Sequence, residues 1–343
     1  MKAALYDEAE GYYCRRDRQR WGRRGDYRTS PERSPLFAAT FARYFATLYQ
    51  QSGAPDQWTI AEAGAGNGAF AEGILQTLRD FYPYVFAVTR YVVDEVGPTG
   101  LASERLQRYT DRVAFRQIED IVAEPGIVFS NELLDAFPVH RVVMRSEGLR
   151  ELYVGVRSDG SFELIEAPLS TPRIADHLNE FGIKLKDSQF AEVNLGIEQW
   201  MNRVAAMLRN GFLVTVDYGA ETEELYDFTR RPNGTLRSFK NHELVDDFLI
   251  SPGRQDLTST INWSVVKKIG DELDFRLVEF ATQNDFLLRA GLLDQLELVT
   301  QRCATGADRL TLRTSAREMI LPNGMAADFQ VLVQQKRCAG VHN

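Results

Sequence analysis

The stretch AEAGAGNGAF, residues 61–70, decides the fold of this chain. An apolar segment, WTIAEAG, leads into glycines at every second position, Gly64, Gly66 and Gly68, and a segment with helical spacing follows them. In a doubly wound sheet the first turn from strand to helix is rich in glycine, because the backbone must approach a bound ligand closely. The pattern therefore predicts a ligand site at the carboxyl end of the first strand.

The class of that ligand depends on Glu62, which stands two positions before Gly64. The glycines alone do not decide it, because the dinucleotide pattern G-x-G-x-x-G/A is also met if Ala69 takes the last place. A fixed carboxylate beside the loop repels a pyrophosphate, whereas S-adenosylmethionine has no phosphate and carries an ammonium and a sulfonium. Glu62 thus favours a methyl donor over a dinucleotide.

The segments on either side of the glycine loop alternate between strand and helix. Ser34 and Pro35 are a favourable cap and first turn for an N-terminal helix. Alternation of this kind is typical of the parallel βαβ units of a doubly wound sheet. We predict helices over 36–48, 68–82, 101–110 and 195–208, and strands over 58–64, 90–96, 112–118, 126–132 and 211–219.

A different sequence pattern interrupts this alternation of strand and helix between residues 139 and 192. Short alternating segments separated by SEG and SDG are typical of antiparallel hairpins. We interpret 139–192 as a substrate cap inserted into a catalytic domain made of 55–138 and 193–338, and 1–54 as an N-terminal arm and helix. Beyond Gly219 we predict a loop-rich part, helices near 259–270 and 284–319, and a last strand over 328–336.

Composition and charge exclude several other classes of protein. The chain has 343 residues, 44% of them hydrophobic, enough for a sizeable core. No apolar run reaches the length of about eighteen residues that a membrane span needs. The net charge of -8 argues against broad affinity for nucleic acid. The three cysteines form neither a C-x-x-C motif nor a zinc cluster, so no metal is expected.

One basic segment departs from the acidic average. Seven arginines lie between Cys14 and Arg28, where they either meet an acidic partner or pair with carboxylates of the chain itself. Such a segment also resembles a mitochondrial presequence, but Asp7, Glu8 and Glu10 stand where presequences avoid acids. We therefore expect a bacterial-type cytoplasmic location, or the mitochondrial matrix if the source is a eukaryote.

Two groups of acids are candidates for the rest of the donor site. The second strand ends in Asp94 and Glu95, one of which accepts hydrogen bonds from the ribose hydroxyls. We prefer Glu95 for this role, and Asp94 stays open. Glu119 and Asp120, after the third strand, are weaker candidates for the adenine amino group.

The fourth strand leads into SNELLDAFPVHR, which contains the candidate catalytic residues. Glu132 and Asp135 are three apart, so both carboxylates lie on one face if a helical turn begins here. A carboxylate pair suits a guanidinium, because it makes bidentate hydrogen bonds, offsets the charge and accepts a proton. Asn131 is a further candidate for fixing the same nitrogen. Without a methyl donor nearby, the two acids are ordinary complements of a helix N-terminus.

The ordered set GDYRTSP, EAGAGNGAF, SNELLDAFPVHR, VDYG, NGTLRSFKNH and PGRQDLTSTINW resembles the MidA family over nearly the whole chain. The resemblance implies an α/β class I, Rossmann-like S-adenosyl-L-methionine-dependent methyltransferase with an N-terminal helical extension and an inserted cap of hairpins and helix. Mitochondrial members symmetrically dimethylate an arginine of a respiratory complex I subunit and assist assembly of that complex. A protein-arginine methyltransferase with S-adenosyl-L-methionine as cofactor is therefore our prediction.

The resemblance also carries over individual residues. Glu62 and the three glycines fall on the donor loop of the family, and Glu95 falls on an acidic position shortly before a Ser-Pro pair, where this chain has Gly97. Asp26, Thr29 and Ser30 match an N-terminal signature that folds over the donor. His242 matches a family histidine, and it is either a proton relay or a structural residue. Arg237 and Ser238 replace more apolar residues and are expected to alter the substrate groove.

Other functions stay open at this stage. A methyltransferase acting on nucleic acid or on a small molecule uses the same donor loop, and the arginine segment would then contact phosphates. A non-catalytic assembly factor keeps the fold as a scaffold, and a NAD-binding oxidoreductase requires the loop to tolerate a pyrophosphate. The sequence leaves the partner and a homodimer undecided.

Overall fold

The computed structural model describes residues 1–16, 34–122, 125–240, 243–245, 247–321 and 328–337. Its centre is one twisted sheet whose strands, in spatial order, are β14 (Phe275–Thr282), β15 (Phe329–Lys336), β9 (Gly211–Ala220), β4 (Gly126–Asn131), β1 (Trp58–Ala63), β2 (Thr89–Asp94) and β3 (Val113–Phe115). The short strand β13 (Ile261–Asn262) also pairs with β9.

The pairing directions of the central sheet explain where a ligand binds. β1 pairs in parallel with β2 and β4, and β4 pairs in parallel with β9. The carboxyl ends of these four strands therefore meet at one edge, where ligands bind in doubly wound sheets. β14 and β15 extend the other side of β9 in antiparallel order.

Helices cover both faces of the sheet. They are α1 (Lys2–Tyr6), α2 (Pro35–Gln51), α3 (Ala69–Phe81), α4 (Pro83–Val88), α5 (Gly100–Arg105), α6 (Arg173–Glu180), α7 (Gly196–Met207), α8 (Thr222–Leu225), α9 (Trp263–Glu272), α10 (Gln283–Arg289), α11 (Leu292–Gln301) and α12 (Gly306–Ile320). Two 3-10 turns span Gln107–Tyr109 and Ile118–Asp120. None of the described helices is both long and apolar enough to cross a membrane.

The larger core lies on the face of the sheet covered by α2 and α3. Phe41 of α2 packs in the centre of an aromatic group, with its ring 5.2 Å from that of Phe129 on β4 and 5.3 Å from that of Phe286 on α10. Phe70 of α3 stacks on Phe129 at 4.1 Å. These buried contacts fix α2 and α3 against the strands that end at the cavity.

Two small antiparallel sheets stand beside the central one. The first contains β7 (Phe162–Ala167), β6 (Gly148–Val156), β5 (His140–Arg145) and β8 (Phe190–Val193), in that order, and α6 belongs to the same chain segment. The second contains β11 (Glu243–Val245), β10 (Arg237–Lys240) and β12 (Asp256–Thr258). The first sheet begins and ends within one residue of the predicted insertion 139–192.

The predicted α/β fold class is confirmed. The short helix α4 was not predicted, the helix predicted over 101–110 ends at Arg105, and the larger differences lie in the C-terminal third. The predicted helix over 284–319 is three helices, because Gly291 takes a left-handed φ of 95° and Thr305 caps a new helix through its side chain. The helix predicted near 259–270 begins only at Trp263, after Asn262. We predicted no element for Phe275–Thr282, which is edge strand β14. Most of its residues are exposed or half-buried, so it lacks the apolar run of a central strand.

Removal of the cap of α2 gives a first testable prediction. The Ser34 side chain accepts a hydrogen bond from the Leu36 backbone amide at 3.2 Å, as the sequence predicts. We expect Ser34→Ala to lower the free energy of unfolding by about 1 kcal/mol, measured by urea denaturation. Ser34→Thr keeps an acceptor oxygen and is the matched control. Equal stability of all three proteins would contradict a capping role.

Candidate active site

The carboxyl ends of β1, β2, β4 and β9 border one cavity of about 1290 Å³. Ligand pockets are usually about 300–1,000 Å³, so this cavity has room for a nucleoside-sized donor and an acceptor side chain together. Eight of the predicted site residues line it: Glu62, Gly64, Gly66, Asp94, Glu95, Asn131, Glu132 and Asp135. The sequence motifs thus converge on one space, although they are separated along the chain.

The glycine loop turns at the end of β1 through left-handed conformations. Gly64, Gly66 and Gly68 have φ values of 71°, 56° and 75°, which side chains rarely adopt. The amide of Gly66 donates to Glu95 Oε2 at 2.7 Å. A β-carbon on Gly68 would lie 3.1 Å from Ala102, so this glycine permits close packing of α5 and is not among the residues lining the cavity.

Glu62 lies buried at the end of β1, with 4% of its surface exposed. The Tyr91 hydroxyl on β2 donates to its Oε2 at 2.7 Å. Burial raises the pKa of Glu62 to about 8, and the nearby charge of Glu95 adds to the effect. The raised pKa favours the protonated carboxyl in the ligand-free protein near neutral pH, whereas the sequence interpretation treats Glu62 as a fixed anion. A cationic ligand group beside it would restore the carboxylate.

The two acids after β2 differ in what they contact. Glu95 accepts hydrogen bonds from the backbone amides of Gly66 at 2.7 Å and Gly97 at 2.8 Å, so it ties the glycine loop to the next strand. Asp94 is half-buried, and burial raises its pKa to about 6. Both side chains line the cavity, so the structure leaves both as candidates for a ribose contact.

Glu119 does not lie where we predicted it. Its carboxylate pairs with Arg203 of α7 at 3.0 Å, with 44% of the Glu119 side chain exposed, and it is not among the residues lining the cavity. Arg203 does line the cavity. The short 3-10 turn over Ile118–Asp120 directs this acid to the surface, which sequence spacing does not reveal.

These placements predict different consequences for two glutamates. We expect Glu95→Gln to weaken binding of S-adenosylhomocysteine about tenfold or more, because hydrogen bonds to a charged group contribute roughly 1.5–3 kcal/mol each. Glu119→Gln, as the matched control, should change the affinity less than about twofold, as is usual for exposed ion pairs. Isothermal titration calorimetry measures both, and a stronger effect at Glu119 would reverse our placement.

The segment after β4 does not form a helical turn, which was the condition for placing Glu132 and Asp135 on one helix face. Glu132 takes a left-handed φ of 52°, and its Oε1 accepts a hydrogen bond from the Asn131 side-chain amide at 3.0 Å. Asp217 of β9 accepts hydrogen bonds from the amides of Leu134 at 3.0 Å and Asp135 at 3.4 Å. Those bonds hold a tight loop, which presents Glu132 and Asp135 to the same cavity without helical spacing.

Asp135 is the most buried carboxylate of this loop, with 3% of its surface exposed. The Tyr218 hydroxyl donates to its Oδ2 at 2.6 Å, whereas Oδ1 is buried and has no hydrogen-bond partner within the described ranges. Burial raises the pKa of Asp135 to about 6, although Tyr218 and the Arg237 charge oppose the rise. Burial and the Asp135 charge together raise the pKa of Asp217 far above its usual value.

Several lining residues were not predicted from the sequence. Tyr218 lines the cavity and lies in the VDYG motif. Its neighbour Asp217 supports the loop after β4 but is not among the residues lining the cavity, and an acid inside an apolar strand is the only signal of this motif. His140, at the end of SNELLDAFPVHR, lines the cavity beside these acids. Aromatic side chains form much of the remaining wall: Tyr6, Tyr13, Phe137, Trp200, Phe239 and Phe329.

The structure describes two of the remaining predicted residues, and the others lie outside the described residues. Arg237 lines the cavity with its guanidinium 4.9 Å from the Tyr218 ring, as expected for a residue that shapes the groove. Ser238 is buried away from it and donates to the Val245 carbonyl at 2.7 Å. The other predicted site residues lie outside the described residues: Asp26, Thr29, Ser30 and His242.

The lining fits an adenosylmethionine-type donor on several grounds. A turn of left-handed glycines borders the cavity on one side, and carboxylates surround it. Two buried acceptor oxygens, Asp135 Oδ1 and Asn131 Oδ1, lack hydrogen-bond partners among the residues that the structure describes. Buried acceptors without partners are costly, so they favour a ligand that brings N–H donors and positive charge.

Comparisons with known proteins agree with this geometry. A family model for S-adenosyl-L-methionine-dependent methyltransferases matches residues 40–281. The mitochondrial protein arginine methyltransferase NDUFAF7 of Mus musculus is 26% identical over 361 residues, covering 96% of this chain and 78% of the relative. The Homo sapiens protein of the same name is 25% identical, covering 99% and 80%.

A solved structure is similar over almost the whole chain. The crystal structure of a protein from Burkholderia thailandensis bound to S-adenosyl-homocysteine has a TM-score of 0.84 and 28% identity, covering 97% of this chain and 86% of that one. A second crystal structure from Burkholderia thailandensis, a native one, has a TM-score of 0.81 at the same identity. The fold is therefore shared with a protein that was crystallised with S-adenosyl-homocysteine.

Proposed function

Since the chain belongs to the MidA family of S-adenosyl-L-methionine-dependent methyltransferases, we propose that it methylates an arginine side chain of a partner protein. The observation that carries the proposal is the loop after β4, where Glu132, Asp135 and Asn131 line the same cavity as the glycine loop. The names of the similar proteins, which call them protein arginine methyltransferases, support the same acceptor.

The donor half of the site is assigned to the edge formed by β1 and β2. The glycine loop admits the donor close to the backbone, and Glu62 would face its ammonium. Glu95, with Asp94 as the alternative, would accept from the ribose hydroxyls. When bound, S-adenosyl-L-methionine supplies an electrophilic methyl group on a sulfonium.

The acceptor half of the site is assigned to the loop after β4. Glu132 and Asp135 would hold a planar guanidinium through charge-assisted hydrogen bonds, which fixes its orientation and offsets its positive charge. Tyr218 holds Asp135 in place through its hydroxyl, and Asp217 holds the backbone of the loop. Phe137, Trp200 and Phe239 give this part of the cavity apolar walls that limit water.

This geometry explains why little further chemistry is required of the protein. Alignment of a bound donor and acceptor contributes about 7–11 kcal/mol to lowering the barrier in well-oriented reactions. A flat guanidinium matches two carboxylates better than an ammonium does, because it offers N–H donors in a fixed fork. Asp135 Oδ1 is buried and has no hydrogen-bond partner in the described part of the chain, so it is the acceptor that such a fork would satisfy.

Partner and compartment are finer proposals that rest on the family. We propose a respiratory complex I subunit as the acceptor protein and symmetric dimethylation as the product. We place the enzyme in the cytoplasm if the source is a bacterium and in the mitochondrial matrix if it is a eukaryote. The animal relatives are named as mitochondrial proteins.

Transfer of label tests the proposed function directly. The purified enzyme is incubated with methyl-tritiated S-adenosylmethionine and a cell extract, and the labelled protein is hydrolysed to amino acids. We expect tritium in methylated arginine. Label only in RNA, in a small molecule or in another amino acid would remove the claim, and an absence of transfer would favour a scaffold without catalytic activity.

A further inference from the structure

His140 is a second polar feature of the acceptor side of the cavity. It is the first residue of β5, two residues after Pro138, where the loop that contains Asp135 and Ala136 ends. It lines the same cavity as Glu132. About a third of its side chain, 32%, is exposed. The ring is therefore held by the inserted sheet while part of it faces the cavity.

A buried carboxylate holds one edge of this ring. Glu151 on the neighbouring strand β6 has 5% of its surface exposed, and its Oε1 lies 2.7 Å from His140 Nδ1. Its other oxygen accepts hydrogen bonds from the Ser170 amide at 2.6 Å and the Tyr153 hydroxyl at 3.2 Å. Burial acts to raise the pKa of Glu151, but the bonds from His140 and Ser170 outweigh it and lower the pKa below its usual value.

The ionised Glu151 fixes the tautomer of the neutral imidazole. A carboxylate accepts hydrogen bonds only, so Nδ1 must carry the proton where it meets Glu151 Oε1. The lone pair is then on Nε2, at the other edge of the ring. Within the described part of the chain, no hydrogen bond involves Nε2, and His140 is among the residues that line the cavity.

We propose that His140 is the general base of the methyl transfer and that Glu151 is its positioning residue. The proposal deepens the arginine methyltransferase function and rests on it. As the acceptor nitrogen forms its bond to the methyl carbon, the carbon–sulfur bond breaks and its electron pair stays on sulfur. The proton lost from that nitrogen passes to His140 Nε2, and the resulting imidazolium releases it to solvent.

This assignment gives the two carboxylates and the imidazole different roles. Glu132 and Asp135 remain anions that hold the guanidinium, since taking the proton would remove the charge that binds it. The acceptor nitrogen gains positive charge as it bonds to the methyl carbon. A neutral imidazole can accept the proton of this nitrogen without adding a further negative charge to the site. A buried acid that orients an imidazole for proton transfer is a recurring arrangement in enzymes.

The first test observes the ring itself, independently of turnover. The chain has only four histidines, so ¹⁵N-histidine labelling with His140→Gln as the assignment variant resolves this ring by NMR. We expect Nδ1 protonated and Nε2 unprotonated in the complex with S-adenosylhomocysteine, and a mixture of tautomers in Glu151→Gln. A proton on Nε2 in the neutral ring would overturn the proposal, because that nitrogen could then accept none.

The second test measures label transfer to the acceptor protein of the extract. We expect His140→Gln to lower kcat by about 100-fold or more with little change in KM, the usual size of general-base effects. Added imidazole should restore part of the activity of His140→Ala. His177→Gln on α6, a half-buried histidine that does not line the large cavity, is the matched control and should keep wild-type activity.

The outcomes separate this inference from the proposed function. If the wild-type enzyme labels arginine and His140→Gln retains most of its kcat, the general base is wrong while the function stands. If the wild-type enzyme labels no arginine, the proposed function fails, and the general base fails with it. An unchanged affinity of His140→Gln for S-adenosylhomocysteine, measured by calorimetry, excludes loss of the fold as the cause.

Discussion

The double variant Glu132→Gln with Asp135→Asn is expected to lower kcat/KM for arginine methylation by roughly 100- to 10,000-fold. Each charge-assisted hydrogen bond to the guanidinium contributes about 1.5–3 kcal/mol, and the two carboxylates together hold its charge. Asn at 135 still accepts from the Tyr218 hydroxyl, so the loop keeps that contact. Initial rates of label transfer measure the effect.

Two controls test whether the loss of activity is specific to binding of the acceptor. The affinity for S-adenosylhomocysteine should change less than about twofold, since Glu132 and Asp135 follow β4 and the donor is assigned to β1 and β2. Asp328→Asn removes an exposed carboxylate from the same cavity wall and should keep the wild-type rate. Full activity of the double variant would show that these carboxylates do not bind the acceptor.

The variant Glu62→Gln is expected to weaken binding of S-adenosylhomocysteine by roughly 30-fold or more at about pH 8.5. Loss of one partner of a buried, hydrogen-bonded charge pair costs about 2–5 kcal/mol. The amide oxygen of Gln still accepts from the Tyr91 hydroxyl, so the change removes charge rather than packing. Glu224→Gln, in an exposed carboxylate that also lines the cavity, is the control and should bind normally.

The pH dependence of the same variant gives a qualitative test. With a pKa of about 8, the Glu62 carboxyl is protonated in the free protein below that pH. The ammonium of the ligand requires the carboxylate, so binding below pH 8 releases a proton, and affinity rises up to tenfold for each pH unit before levelling off near pH 8. Calorimetry in buffers of different ionisation enthalpy should detect about one proton released by the wild type and none by Glu62→Gln. Identical proton release from both proteins would contradict the assignment.

The order of strands and helices was predictable up to β9 because local signals agree there. Ser34 and Pro35 mark the start of α2, and the apolar run of 211–219 marks a strand buried on both faces. The C-terminal third lacked such agreement. Gly291 and Thr305 divide one helical stretch into three helices, and edge strand β14 has the mixed polarity that solvent exposure permits.

The candidate site was predictable where sequence motifs follow the ends of strands. It was less predictable where contacts between distant parts of the chain determine the conformation of a loop. Glycine spacing placed the donor loop, and the acids after β2 and β4 reached the cavity as expected. The left-handed Glu132 and the support of its loop by Asp217 depend on contacts with β9, about 85 residues away, that no local pattern shows. The raised pKa of Glu62 likewise follows from burial of its carboxyl at the end of β1, which composition does not reveal.

A crystal structure of the enzyme with S-adenosylhomocysteine and an arginine-containing acceptor peptide tests the central claim most directly. We predict the ligand ammonium beside Glu62, its sulfur facing the loop after β4, and the peptide guanidinium between that sulfur and the carboxylates of Glu132 and Asp135. A ligand bound away from the glycine loop, or a guanidinium that contacts neither carboxylate, would contradict the account.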